Sequence, residues 1–326
     1  MPRLTLSERI MSFALTVLLM TALTNPLAAQ PFEGCPSKEI LAAFNDFASV
    51  GKPPPDAWRS WLRDPKAQAM EPWKAFDNVH YVGVCWVSAW AIQTNDGVVL
   101  IDTLHEPHVD QLVANLGKVG INLSDIKYVL MTHGHFDHVG GAIKLKQLVS
   151  NAKFVMTQTG WDEAMESAKS SESTPLRWSM IPQDVVVKDG DVIRLGGNSF
   201  GVLETPGHTP GTASYTFDVK DGTSTYRAIT VGGLGLNAIK NSKQVEGFIA
   251  SLDRLSGLAK QPNQPVTVHL TTHGFSNGMT EVGYRLPARK PGELNSLVDP
   301  EGFLEQLASL RSGAEQRLEI ERKAGR

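Results

Sequence analysis

Basic residues are nowhere concentrated in this chain. Lysine and arginine number 31 against 34 aspartates and glutamates, a formal net charge of -3, so neither nucleic acid nor an anionic membrane is indicated as a partner. Cysteine is nearly missing: Cys35 and Cys85 are the only two. They either pair, stapling the N-terminal segment to the first strand in an oxidising compartment, or Cys85 packs as a small apolar residue; the sequence supplies no distance to decide. Long apolar runs are absent after the first thirty residues, and no clean linker interrupts the rest. The stretch 30–326 therefore reads as a single domain, long enough to bury one large core.

The one long apolar run comes first. Arg3 and Arg9 precede the stretch from Phe13 to Leu23, and Pro26-Leu27-Ala28-Ala29 ends in small residues. This is the pattern of an export signal over 1–29, and the run is short for a bilayer span. The mature chain is expected to be periplasmic or secreted, with no membrane attachment once the signal is removed.

Three of the nine histidines fall within six residues, His133-Gly134-His135-Phe136-Asp137-His138, directly after the apolar run Tyr128-Val129-Leu130-Met131. Imidazole and carboxylate cost free energy when buried without partners, so packing is a poor reason for this cluster at the mouth of a strand. A metal site is a better one, because neutral imidazole is the commonest zinc ligand and a carboxylate adds a hard oxygen. A second signal is Glu204-Thr205-Pro206-Gly207-His208-Thr209-Pro210-Gly211. Its glycines permit tight backbone geometry and its prolines remove freedom, holding His208 on a stiff loop.

Periodicity places these motifs. Ser37 to Val50 has helical spacing, with Gly51 at the C-terminal cap position and Pro53-Pro54-Pro55 beyond. Trp58, Trp61 and Trp73 are expected to pack at the core edge or form a lip over a cleft. Strands are expected over Val79 to Val87, Ala91 to Gln93 and Val98 to Ile101, the last two joined by the hairpin signal Asn95-Asp96-Gly97. A helix begun by Pro107 and ended by Gly120 leads to a strand over Ile126 to Met131. The second half repeats the plan with strands at Asp184 to Val187, Val192 to Leu195, Ser199 to Glu204, Ala213 to Val219 and Tyr226 to Val231. A helix over Gln244 to Leu258 and a strand over Val266 to Leu270 complete it. Two halves that each open a histidine at a strand end predict an α/β protein with two sheets face to face and helices outside.

His-x-His-x-Asp-His followed by Gly140-Gly141, with Thr-Pro-Gly-His-Thr-Pro-Gly later, resembles the metallo-β-lactamase superfamily over about Asn78 to His273. The resemblance implies an αββα four-layer sandwich holding two zinc ions per chain. It implies His133, His135 and His208 as ligands of the first, and Asp137 and His138 as ligands of the second. Most of that superfamily adds a bridging aspartate where this chain reads Ile229-Thr230-Val231-Gly232-Gly233. The β-lactamases lack the bridge, and their third subclass completes the second site with a histidine after the last strand, which Thr271-Thr272-His273-Gly274 resembles. His273 is thus the expected sixth ligand, the tail through Pro300 and Phe303 the expected terminal helix, and Asp102 resembles the aspartate that orients a ligand ring. His269 is read as a partnered core histidine, His105 and His108 as surface residues, with a place at the border of the cleft as the alternative for His105, and His80 as structural.

The resemblance implies a zinc-dependent hydrolase of small molecules that attacks a carbonyl with metal-bound hydroxide, with Asp137 as the catalytic residue. No serine or cysteine in the motifs suits an acyl-enzyme route. A β-lactam amide is the first expectation; lactones or thioesters on the same fold, or a non-catalytic periplasmic metal-binding protein, are the alternatives. The loop serines that hold the substrate carboxylate in related β-lactamases are replaced by Gly232-Gly233-Leu234-Gly235-Leu236-Asn237, which leaves Asn237 and Lys240 as candidate anion anchors.

Overall fold

A computed structural model of the chain describes residues 35–48, 55–174 and 176–326. The expected export signal, and the Gly51 to Pro54 break, lie outside the described residues. In chain order the described elements are α1 (Lys38–Ala48), α2 (Asp56–Leu62), β1 (Trp73–Phe76), β2 (Val79–Tyr81), β3 (Trp90–Thr94), β4 (Gly97–Ile101), α3 (Val109–Lys118) and β5 (Ile126–Leu130). They continue as α4 (Phe136–Val139), α5 (Ala142–Leu148), β6 (Lys153–Thr157), α6 (Gln158–Ser171), β7 (Val185–Val187), β8 (Val192–Leu195) and β9 (Asn198–Glu204). The rest are β10 (Ala213–Asp221), β11 (Ser224–Thr230), α7 (Ser242–Ala259), β12 (Val266–His269), α8 (Met279–Arg285) and α9 (Pro300–Lys323).

Alternation along the strands decides the layering. In β3, Trp90 and Ile92 face one core while Ala91 faces another, and in β4 Val99 and Ile101 part from Val98 and Leu100 in the same way. Strands apolar on both faces must be covered on both. One sheet runs β1-β2-β3-β4-β5-β6-β7, the other β12-β11-β10-β9-β8. Between them lie Trp90, Val99, Leu130, Phe200, Val202, Tyr215, Phe217 and Val268. Leu112 and Leu116 of α3, Leu145 of α5 and Trp161 of α6 cover the outer face of the first sheet. Phe248, Leu252 and Leu255 of α7, with Phe303 and Leu307 of α9, cover the second. The result is the expected αββα sandwich.

The strands β4 to β7 are parallel, and β12 joins β11 in parallel. Their C-terminal ends open on one edge, where the chain leaves the ladder and free side chains gather. The hairpin falls as predicted, with Thr94 paired to Gly97 across Asn95-Asp96, and α3, β8, β9 and α7 lie within a few residues of their expected spans.

One expected strand is cut short. The run Val79 to Val87 forms β2 only to Tyr81, because the chain folds back on itself: Val84 N–H donates to Val87 O at 3.0 Å and Val82 N–H to Ala89 O at 2.9 Å. Gly83 permits that fold, since a Cβ there would sit 2.5 Å from Ala89 N. The excursion carries Cys85 to Cys35, and the two form a disulfide with Cα atoms 5.2 Å apart. It also carries Trp86 to the open edge of the sandwich.

Candidate metal centre

Two groups of three side chains converge at that edge: His133 with His135 and His208, and Asp137 with His138 and His273. The six expected ligands are therefore brought together, with the ligand atoms of each group within 4.8 Å of one another. His133 Nε2 lies 3.1 Å from His135 Nδ1, which lies 3.1 Å from His208 Nε2. In the second group His138 Nε2 and His273 Nε2 are 3.2 Å apart, and Asp137 Oδ2 is 3.7 Å and 3.8 Å from them. The His133 and His138 rings, 4.2 Å between centroids, place the groups side by side.

Four elements supply these side chains. His133 follows β5, His135 caps α4, and Asp137 and His138 occupy its first turn. His208 sits between β9 and β10, and His273 follows β12. Asp102, at the end of β4, takes a left-handed backbone with φ 63°, a conformation aspartate tolerates. Its carboxylate thereby turns back onto the cluster. Oδ1 accepts from Thr132 N–H at 2.8 Å, and Oδ2 accepts from Thr132 Oγ1 at 2.9 Å and His138 Nδ1 at 2.8 Å.

The partners of the outer nitrogens fix the tautomers. His208 Nδ1 lies 2.7 Å from Gly235 O and His273 Nδ1 2.7 Å from Trp86 O; a carbonyl only accepts, so both nitrogens carry the proton. His138 Nδ1 donates to the Asp102 carboxylate. Thr132 Oγ1, having given its hydrogen to Asp102, accepts from His133 Nδ1 at 3.2 Å. Each of these four rings then turns a bare Nε2 lone pair inward. With the rings neutral, lone pairs 3.2 Å apart repel and cannot hydrogen-bond to each other; a cation between them, or a proton on His138, resolves the conflict. The donor set of imidazoles and one carboxylate suits zinc.

Electrostatics agrees with neutral, ligand-ready rings. Burial pushes His208 down to about 3, and His135 and His273 down to about 4; it also holds His133 well below its ordinary value. His138 is the exception: burial pulls it down, but the carboxylates of Asp137 and Asp102 outweigh burial and raise it. Burial pushes Asp137 up, yet the rings of His138, His273 and His135 hold its carboxyl well below the usual carboxylate range.

A cleft of about 830 Å³ opens on the cluster. Phe44, Trp58, Trp86 and Phe275 form an aromatic wall, and Asn237 lies on its rim. Trp58 thus both packs and lines the cleft. Lys240 is exposed, with its backbone N–H on Gln244 Oε1 at 3.0 Å; its charge reaches His135.

Gly232 and Gly233 explain the missing bridging carboxylate. A Cβ on Gly232 would lie 2.0 Å from Ala213 O, and one on Gly233 would lie 2.5 Å from His208 Cδ2. Backbone at Gly232 and the His208 ring at Gly233 fill the space a side chain would need.

Two sequence readings need correcting. His105 and His108, expected at the surface, are both buried. The left-handed residues Asp102 and Leu104 turn the chain inward, so that His108 Nε2 meets Leu62 O at 2.8 Å and His105 packs edge-on against Phe136. His269 behaves as read: Nδ1 meets Gln306 Oε1 at 3.0 Å and the ring lies against Phe303. Trp86 and Thr132, which touch the cluster directly, were not singled out by the sequence. No motif marks Trp86, and only its place beside Cys85 hinted at a constrained position.

Comparison with known proteins adds to this geometry. Residues 82–223 match the sequence profile of the family described as the Metallo-beta-lactamase superfamily. A hydroxyacylglutathione hydrolase of Rhodopseudomonas palustris (strain BisB5) is 36% identical over 137 residues, 42% of this chain and 45% of that protein. Hydroxyacylglutathione hydrolase GloC of Haemophilus influenzae is 30% identical over 134 residues, 39% of this chain and 59% of that protein. The chain thus spans about half the length of the curated relatives it matches. Among solved structures, a mutant of the FEZ-1 metallo-β-lactamase from Legionella gormanii superposes with a TM-score of 0.70 at 25% identity, covering 78% of this chain and 97% of that one. BJP-1, a subclass B3 metallo-β-lactamase of Bradyrhizobium japonicum, gives 0.68 at 25% identity, with 79% and 97% covered. With its paired histidine motifs, its two-sheet sandwich and these likenesses, the chain has the metallo-β-lactamase fold and matches that superfamily over residues 82–223.

Proposed function

We propose that this chain is an exported zinc hydrolase whose substrate is a β-lactam. The observation that carries the reading is the second triad. It is closed by His273 rather than by a carboxylate at the end of β11, where Gly232 and Gly233 leave no room for one. The structural relatives support the same reading, because subclass B3 enzymes align over 97% of their length. The hydroxyacylglutathione hydrolases favour a second reading, thioester hydrolysis, but match over only 45% of the first relative.

His133, His135 and His208 would hold one zinc, and Asp137, His138 and His273 the other. When bound, such ions supply an acidified water at neutral pH and stabilise the developing negative charge. The chain's own groups do the positioning. Asp137 accepts a hydrogen of the attacking water at Oδ1, because Oδ2 faces the Trp86 N–H and the second cation position, and turns the water's lone pair toward the carbonyl carbon. The wall of Phe44, Trp58, Trp86 and Phe275 excludes water from one side and packs against an apolar ring system. Asn237, which lines the cleft, donates in this reading to a substrate carboxylate, with the charge of Lys240 nearby.

Export is supported by the N-terminal pattern and by the disulfide, a bond that persists in oxidising compartments. Cell fractionation that finds the chain in the cytoplasm would remove this part of the proposal. The substrate is tested by assaying the zinc-loaded protein on penicillin, cephalosporin, carbapenem, lactone and glutathione thioester. The highest kcat/KM is expected on a lactam, Asp137→Ala abolishes turnover, and Asn237→Ala raises KM for anionic lactams about tenfold, the loss of one charge-assisted hydrogen bond. Faster turnover of the thioester than of every lactam overturns the substrate assignment and leaves the hydrolase standing.

A further inference from the structure

Trp86 touches two members of the second triad from opposite ends of one residue. Its carbonyl accepts from His273 Nδ1 at 2.7 Å, and its indole Nε1–H donates to Asp137 Oδ2 at 3.3 Å. Among the described hydrogen bonds none joins Trp86 to His133, His135 or His208.

The grip is rigid. Trp86 N–H donates to Oε1 of the buried Gln68 at 3.0 Å, and the neighbouring Cys85 N–H donates to Gln68 O at 2.9 Å. Cys85 is bonded to Cys35, and Ser88 N–H reaches across to Thr272 O at 2.8 Å, beside His273. The indole is boxed by Phe44, Trp58, Trp61 and Phe275, with ring centroids 4.6 to 6.0 Å away. A boxed ring has little rotamer freedom, so the direction of its N–H is set before any ligand arrives.

We propose that Trp86 is the positioning residue of the second cation site, aiming His273 Nε2 through its carbonyl and Asp137 Oδ2 through its indole N–H. This rests on reading the cluster as a metal centre. The carbonyl holds His273 in the tautomer whose lone pair faces inward. The N–H occupies one lone-pair direction of Oδ2 and leaves the other for the cation. Both effects act on one triad alone, so the affinity of the second site depends on Trp86 and that of the first does not.

The test compares the full chain with two versions altered at position 86, each titrated with zinc against a chromophoric chelator. Trp86→Phe keeps the carbonyl and loses the N–H. Replacement by benzothienylalanine puts sulfur where the N–H was and keeps the bicyclic shape, so it separates the hydrogen bond from the packing. The unaltered chain is expected to bind two ions. Both replacements should weaken the second ion about 10- to 100-fold, the usual effect of losing a partner that orients a metal ligand, and leave the first unchanged. Equal second-site affinity in the benzothienylalanine protein and the unaltered chain overturns the role of the indole N–H, and with it the proposal that Trp86 aims both ligands, while the metal reading stands. Equal weakening of both sites also overturns it, because the effect is then general loosening. An unaltered chain that binds fewer than two ions overturns the metal reading and this inference with it.

Discussion

Asp102 gives the cluster its order without facing the cleft. Three donors, Thr132 N–H, Thr132 Oγ1 and His138 Nδ1, all point at its two oxygens. Asparagine keeps the shape but replaces one acceptor with an NH2 that must face a donor. Asp102→Asn should therefore destabilise the fold by about 1–3 kcal/mol and weaken zinc about 10- to 100-fold, read by urea unfolding and chelator competition. Unchanged zinc affinity would show that the tautomer chain through Thr132 and His138 is not needed. His269 offers a pH test away from the ligands, since burial pushes it down to about 4. Between that value and the ordinary 6.5, the unfolded chain takes up a proton the folded one refuses, so stability falls on acidification. The loss attached to this group from pH 7 to pH 5 is about 2 kcal/mol. His269→Phe, which keeps a ring against Phe303, should lose correspondingly less over that interval; identical pH profiles would contradict the assignment.

At the scale of elements, the site depends on where strands stop and which loops stay bare. Gly233 follows β11 with its backbone against the ring of His208, and an added methyl carbon would stand 2.5 Å from His208 Cδ2. Gly233→Ala should displace that ring, weaken the first zinc at least tenfold, and leave the fold intact by circular dichroism. Wild-type zinc affinity in that variant would mean the loop gives way easily. The strands and helices with strong periodicity were legible: the hairpin at Asn95-Asp96, β8, β9, α7 and the strand-end placement of His133, His208 and His273 all follow from pattern and turn chemistry. Other features were not. The expected strand to Val87 broke at Tyr81 because backbone bonds within 82–89 and the glycine at 83 overrode an apolar run. The burial of His105 and His108 follows from left-handed turns at Asp102 and Leu104, which no residue-type pattern announces. Nor did periodicity disclose β1, β6, α2, α5, α6 or α8. Several are short, and their side chains owe their burial to distant partners, as Trp73 does to Tyr81 and Trp90.

For the molecule as a whole, the sandwich closes two sheets and gathers strand ends at one edge, so metal binding and folding share a free-energy balance. Four inward lone pairs are an internal conflict that cations relieve. Two sites filled at 100-fold excess over Kd add about 5 kcal/mol of stability. Chelation should thus lower Tm by roughly 10 °C in a calorimetric scan, reversibly on adding zinc back; a Tm indifferent to chelator would mean no structural coupling. Among the described residues no helix is long and apolar enough to cross a membrane.

The central claim is that six side chains grip two cations, and anomalous diffraction at the zinc edge tests it most directly. The account predicts two peaks per chain, one among His133 Nε2, His135 Nδ1 and His208 Nε2, the other among Asp137 Oδ2, His138 Nε2 and His273 Nε2. A single peak, or density coordinated by a different set of residues, would contradict it.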